Sequence, residues 1–482
     1  MSIDTLHPDY EKMAPLWKKC RDAIEGAEAI KTKENSTTYL PRLSGQDNDD
    51  YAGYLARAFY LGAAGRTVQG LSGAVFRKDP LVDAPAQQTV QEWLEDVTGT
   101  NVPLERFSQM AFDEVLSVGR VGVYVSLPAG ESQTAVPLLS MWKAESITNW
   151  GYDYSGDVPQ LSWVVLKEEV PAPGRDKFSH ESVPQYRHLF LDEAGIFTVQ
   201  RYREEEGENK QREWVPFEGA IQPNFRGQKL DFIPFDLLPM IDCKKPPLLD
   251  LVDANLHHYL LSADYNWGLH FTGTPTAVIT GVPDNTVVKL GSSVALTTQD
   301  PQASAFFLEY KGEGLGSLRT ALDQMEHYIA YMGSRLLAQP RKAVEAAETH
   351  RLRQGAEQVT VMTLAQEISQ ALTRQISWAL EWQRITAEVT ITLNSDIVDA
   401  RLEPADIQAL IQAWTTGAIS KEVLFENLQR GGVIREDLGF EAEEEKIKAG
   451  EMDDDDGREV GEDEEEENRK GSFNPADNFR NN

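Results

Sequence analysis

LLDLVDANLHHYLLSADYNWGLHF, residues 248–271, and GLGSLRTALDQMEHYIAYMGSRLLA, residues 314–338, are two stretches of nearly equal length on either side of a short insert. In the second, Leu315, Leu318, Leu322, Met325, Ile329, Met332 and Leu336 recur at alternating steps of three and four, a heptad stripe. In the first, Leu249, Val252, Leu256, Tyr259 and Ala263 step in the same way. Each stretch predicts a helix of roughly 36 Å, so the pair can run antiparallel and close over the insert at one end. Such a stripe faces either its own hairpin partner or a second copy of the chain. Tyr265, Trp267, Tyr328 and Tyr331 lie off the stripes and need cover, which lateral neighbours would supply.

Working outward, the insert 272–313 holds Gly273, Pro275, Gly281, Pro283, Gly291 and Pro301, with β-like runs at 276–280 and 293–298. It reads as a small non-helical module. Upstream, helical spacing is expected over 8–29, 50–73, 87–98 and 104–118, the last closing at Gly119 as a C-cap. Short β-like runs at 123–125, 162–166, 186–191, 197–202 and 213–217 follow, predicting an antiparallel meander of about five strands that ends at 232–235. Downstream, Pro340 ends the second helix, and a third periodic stretch runs over 344–385. Gly355 inside it predicts a kink or local unwinding. A strand at 388–393 and a helical pair from Pro404 to Gly431-Gly432 complete the chain before its tail. The class is α+β and mostly helical.

At 482 residues, with 41% apolar and 26% charged residues, the composition is that of a folded globular chain. The net charge is −31, and its distribution excludes one function class. Residues 441–482 carry 17 acidic and 6 basic residues, and the preceding 440 still carry 60 acidic against 40 basic. Such a surface repels nucleic acid on average, so tight non-specific DNA binding is not expected, whereas weak sliding contact is allowed. The runs at 453–456 and 462–467 are expected to be disordered. No stretch of 18 apolar residues occurs, and the start MSIDTLHPDYEKM lacks the basic and apolar regions of a signal peptide, so no membrane contact or export is expected. Cys20 and Cys243 stand too far apart in sequence to suggest a disulfide framework or a thiolate zinc site.

Catalytic constellations are missing. There is no Gly-x-x-x-x-Gly-Lys-Ser/Thr loop, no His-Glu-x-x-His and no EF-hand loop. Gly312-Glu-Gly-Leu-Gly316 reads as a loop leading into a helix, and Ser140-Met-Trp-Lys143 as a chance Ser-x-x-Lys. His257, His258 and His270 share one helix with Asp253 four residues before His257, a spacing better explained by a polar face than by a metal. No metal, cofactor or enzymatic activity is expected. Two basic pairs stand out from the acidic background, Lys244-Lys245 before the first helix and Arg341-Lys342 after the second. Antiparallel packing brings them to the same end, either as a solvated cluster near a helix C-terminus or as a contact for a polyanion.

An α/β body, a helix, a small insert, a second helix, a long helix and a helical cap make an order of parts that resembles tailed-bacteriophage portal proteins. The stretch 246–264, PPLLDLVDANLHHYLLSAD, followed by Gly273-Thr-Pro-Thr276, is similar to a portal branch catalogued as a domain of unknown function. RLRQGAE at 351–357 and LQRGGV at 428–433 extend the resemblance over roughly residues 8–440. It implies the portal fold, with a wing from 1–247, stem helices 248–271 and 314–338, and a clip at 272–313. A channel loop, long kinked wing helix and strand would take 339–400, a crown 401–450, and the acidic tail 451–482. It further implies a ring of about twelve copies at one capsid vertex of the virion, made in the host cytoplasm. Its partners would be the terminase large subunit, which brings the ATPase, the head–tail adaptor, the major capsid and scaffolding proteins, and double-stranded DNA in transit. Arg341, Lys342, Lys244 and Lys245 would then be transient phosphate contacts in the channel, and the clip the docking surface. A ring or coiled-coil assembly factor without DNA passage, and an enzyme with a dispersed site, are the competing readings.

Overall fold

The computed structural model describes residues 2–126, 136–173, 176, 178–206, 212–225, 228–239, 245–274, 276–281, 302, 304–308, 311–335, 347–394, 404–430, 433–434, 439–441 and 444. The chain divides into two units, residues 1–398 and 399–482. The first opens with α1 (Pro8–Glu25), capped by His7 and carrying Asp9 and Glu11 in its first turn, where carboxylates favour the helix dipole. Gly26, at φ 108°, ends it. The short turns α2 (Ala27–Ile30) and α3 (Ser36–Tyr39) lead to α4 (Asn48–Arg57), whose N-cap Asp47 accepts from the amides of Asp49 and Asp50.

The single helix expected over 50–73 is two helices, α4 and α5 (Ala63–Val75). The extended backbone of Ala58, at ψ 130°, starts the break. Side chains from a helix 191 to 209 residues away replace the missing helical bonds. The Ser262 hydroxyl donates to the Phe59 carbonyl and accepts the Phe59 amide, both at 2.8 Å. Asn255 Oδ1 accepts from the amides of Ala63 and Ala64 at 3.1 and 3.2 Å, and Asn266 donates to the Arg57 carbonyl at 3.1 Å. Asn255 therefore serves as an N-cap in trans for α5, whose own cap residue Gly62 makes no side-chain bond. Asn255→Ala is expected to lose about 1–3 kcal/mol, because it strands the buried Ala64 amide and leaves the Ala63 amide only the Leu61 carbonyl at 2.7 Å. Urea denaturation of the two proteins measures it, and a loss under about 0.5 kcal/mol would mean that water caps α5 instead.

β1 (Leu81–Asp83), α6 (Gln88–Leu94) and α7 (Leu104–Val118) follow. Gly119 closes α7 in the left-handed region at φ 76°, its amide donating to Val115 at 2.7 Å. β2 (Val121–Ser126) and β3 (Leu138–Lys143) pair antiparallel, and the 3-10 turn Ala144–Ser146 leads to β4 (Ile147–Asp153). β5 (Gln160–Pro171), β6 (Ser182–Leu191), β7 (Phe197–Glu206) and β8 (Arg212–Ile221) extend β4 into a five-stranded antiparallel meander in sequence order. Its membership differs from the expectation. The 123–125 run leaves to join β3 and β11 (Phe235–Leu238), after the small pair β9 (Asn224–Phe225) and β10 (Gln228–Lys229). The strand that replaces it, Ile-Thr-Asn-Trp-Gly-Tyr-Asp, has its strand formers interrupted by Asn149 and Gly151, and Trp163 of β5 lies over Gly151 where any Cβ would meet its indole at 2.3 Å.

α8 (Leu249–Gly273) and α9 (Leu315–Arg335) bracket the hairpin of β12 (Thr276–Thr280) and β13 (Ser304–Leu308). The β-like run at 293–298 lies outside the described residues, and 304–308 is the partner strand of β12. α10 (Ala347–Trp382) stays helical through Gly355, so the unwinding expected there does not occur. β14 (Thr390–Thr392) pairs with β1. The main core joins α5, α6, α7 and α10 to the β2 sheet, with Phe107, Phe112, Leu116, Leu372 and Ile376 among its buried residues. Asp236 of β11 ties α10 down, accepting from Arg374 at 2.8 Å and Gln375 at 2.9 Å. In the second unit, α11 (Pro404–Thr415) and α12 (Lys421–Arg430) follow each other, Leu424 and Phe425 being buried and Phe440 meeting Phe425 edge-on. Gly431, Gly432 and the acidic runs lie outside the described residues.

Candidate functional site

The unit that sets this chain apart is the α8–α9 pair with the ribbon between its helices. Four contacts give its register. Leu251 Cδ1 lies 3.8 Å from where a Cβ would stand on Gly333, His258 Nε2 lies 3.3 Å from Glu326 Oε1, Tyr265 hydrogen-bonds Arg319, and Leu315 covers Gly268. Along α8 these positions advance by seven, seven and three. Along α9 they fall back by seven, seven and four, as an antiparallel heptad seam requires. At the outer end of the pair Leu315 closes over Gly268, where a Cβ would stand 2.7 Å from Leu315 Cδ2 and the leucine would have to turn aside. Gly312, at φ 65°, sits beside Leu315 and Thr272 and turns the chain into α9.

The stripe read from the sequence lies on another side of α8. Leu249 and Val252 are buried with Cys20 and Ala23 of α1 and Ala64 of α5. Tyr259 and Ala263 are buried with Ile30, Tyr51, Tyr54 and Tyr60, while Leu256 borders both clusters. α8 therefore carries two stripes, one rooted in the body and one against α9. On α9 the heptad residues do turn inward. Leu322 and Ile329 are buried, Leu315, Leu318, Met325 and Met332 half-buried, and Leu336 lies outside the described residues. The opposite face shows Tyr328 and Tyr331 to solvent, 52% and 39% exposed. Trp267 is covered by Tyr54 and Phe271 at centroid distances of 5.8 and 5.0 Å, with Arg57 over its ring.

At the far end, Phe306, Phe307 and Leu308 of β13 are consecutive and more than half exposed. Neighbouring strand residues point to opposite faces, so both sides of the ribbon are apolar. A two-stranded ribbon is marginal by itself, and this one presents a surface suited to another protein. Of the basic residues, Lys245 is exposed just before α8, while Lys244, Arg341 and Lys342 lie outside the described residues. Through Leu251 and Gly333, the start of α8 and the end of α9 lie side by side.

The three histidines of α8 diverge. His257 is exposed, His258 is buried against Glu326, and His270 packs on Trp267. Asp253 is held by Lys19 at 2.6 Å. Among the described residues no group of three or more histidine, cysteine or carboxylate side chains gathers into a metal site. In β3 the Ser140 hydroxyl donates to the Tyr124 carbonyl, and three steps along a strand put Lys143 on the opposite face. Burial pushes the Cys20 thiol up to about 12, far from the thiolate range of reactive cysteines.

Sequence reading missed the ionic cluster that carries the body beneath α8. Arg21 Nη2 donates to Glu114 Oε1 of α7 at 2.5 Å and to Glu145 Oε2 at 2.7 Å, and its Nε also bonds Glu145. Desolvation works against the Arg21 charge, but the bonds to Glu145 and Glu114 outweigh it and hold its pKa above the ordinary value. Partners 93 and 124 residues away leave no periodic trace in the sequence.

A family model described as a domain of unknown function (DUF4055) matches residues 247–383, from the start of α8 to the end of α10. Among solved structures, a chain in the neck of an empty gene transfer agent particle computed with C6 symmetry is similar at 13% identity and a TM-score of 0.38, over 81% of this chain and 94% of that one. A chain in the neck of a native particle computed with C12 symmetry is similar at 14% identity and a TM-score of 0.37, over 80% of this chain and 94% of that one. No curated protein sequence matches.

Proposed function

We propose that this chain is a portal protein, the ring-forming connector at one capsid vertex of a tailed-phage-like particle. The observation that carries the reading is the α8–α9 pair, rooted in an α+β body at one end and bearing an exposed apolar ribbon at the other. The family match over 247–383 spans the same element and supports the reading. In it, α8 and α9 are the stem, the ribbon belongs to the clip, and residues 401–450 supply the crown. Head-to-tail copies of one heterologous contact close into a ring when the rotation allows, and the outer tyrosines of α9 meet the neighbouring stem. DNA passes through the ring in packaging and ejection. Arg341, Lys342, Lys244 and Lys245 touch its phosphates transiently, in an otherwise acidic channel that keeps it mobile. The clip docks the terminase motor and later the tail adaptor, the body meets the capsid and scaffolding proteins, and catalysis stays with the motor.

Electron microscopy of the purified chain, alone and co-expressed with the scaffolding protein of its own particle, tests this. The expected outcome is closed rings of about twelve copies with an axial opening. Rings without an opening favour an assembly factor through which no DNA passes, and a chain that stays monomeric with its scaffold overturns the proposal.

A further inference from the structure

Outside the α8–α9 pair, the N-terminal strap holds the most unusual group of side chains. His7 is the N-cap of α1, and its Nδ1 accepts the Asp9 amide at 3.1 Å, which requires that nitrogen to be unprotonated. Its ring stacks on Trp150 of β4 at 3.9 Å and 18°, and Arg120 lies over the same indole at 3.9 Å. The residues before it run along β4, which is an edge strand of the meander. The His7 amide donates to the Thr148 carbonyl at 3.0 Å, and the Asn149 side-chain Nδ2 donates to the Thr5 carbonyl at 2.7 Å. The strap therefore covers part of an edge that would otherwise be open to pairing.

We propose that His7 is a pH-sensitive clasp: neutral, it caps α1 and holds the strap on the β4 edge; protonated, it releases both. The mechanism is local. A proton on Nδ1 turns the capping acceptor into a donor that faces the Asp9 amide, and it adds a cation to a site that already contains Arg120. Asp9 opposes this, its Oδ2 standing 3.8 Å from Nδ1. Burial lowers the pKa of His7, Asp9 raises it in part, Arg120 lowers it again, and the net shift is downward. A folded-state pKa below the free value of about 6.5 places the sign: the clasp is closed above that value and opens as pH falls through the lowered one.

Hydrogen exchange read by mass spectrometry on the full chain tests the clasp over residues 2–10, with rates corrected for their intrinsic pH dependence. Protection there is expected to fall about tenfold between about pH 8 and pH 5, while peptides of α7 keep theirs. His7→Asn retains a neutral side-chain acceptor and is expected to stay protected at both pH values. Unchanged protection in the natural chain overturns the proposal. So does an equal fall in His7→Asn, which would assign the effect to carboxylates, and so does a variant unprotected throughout, which would mean that capping is not what holds the strap.

Discussion

Replacing Arg21 with methionine is expected to cost about 3–5 kcal/mol of folding free energy, a large share of what a domain has. The size comes from what is left behind. Glu114 is 7% exposed and faces Arg21 from α7, and Glu145 faces the same guanidinium from the turn before β4. Without the cation, two carboxylates confront each other at the junction of α1, α7 and the meander, and methionine restores volume without charge. Urea denaturation of both proteins measures it, and adding Glu114→Gln to the variant is expected to recover part of the deficit. A double variant no more stable than Arg21→Met would assign the loss to packing.

Tyr328→Asp is expected to leave the fold intact and abolish closed rings. Tyr328 is half exposed on the face of α9 turned away from α8, so the isolated chain loses little when it changes. In the proposed ring the same residue would meet the next copy. An aspartate there puts an unpaired carboxylate into every interface at once, and burying an unpartnered charge costs several kcal/mol per site. Circular dichroism matching the natural chain, together with loss of rings in the microscope, is the expected pair of results. Rings that persist would place the subunit contact elsewhere.

Regular features were legible in the sequence wherever one face of an element meets one neighbour. α7 ends at Gly119, where the glycine and the loss of apolar spacing coincide. α9 presents a single inward stripe, and its heptad residues are the ones that turn inward. α8 was harder because apolar residues occupy more than one of its sides, so two stripes can be drawn. Spacing picks out the aliphatic one at Leu249, Val252 and Leu256, which packs on the body. The seam toward α9 runs through His258, Tyr265 and Gly268, residues that a hydrophobic pattern passes over. The break after α4 was invisible for a different reason. Its residues keep helical spacing, and what interrupts them are Asn255 and Ser262, polar side chains supplied from far along the chain. β4 went unread because Asn149 and Gly151 interrupt its strand formers and break the alternation that marks a strand.

The double seating of α8 also bears on how this chain can change over generations. A substitution on α8 has to suit the body on one side and α9 on the other, so most positions in its first four turns have no free direction in which to vary. α9 meets α8 along its length and touches α5 only near its end, where Thr67 lies by Gly333 and Met332 borders the body cluster, which leaves its outer face open to drift. Diversity among related sequences is therefore expected to collect on the outer face of α9, leaving α8, and the hold of the pair on the body, unaltered.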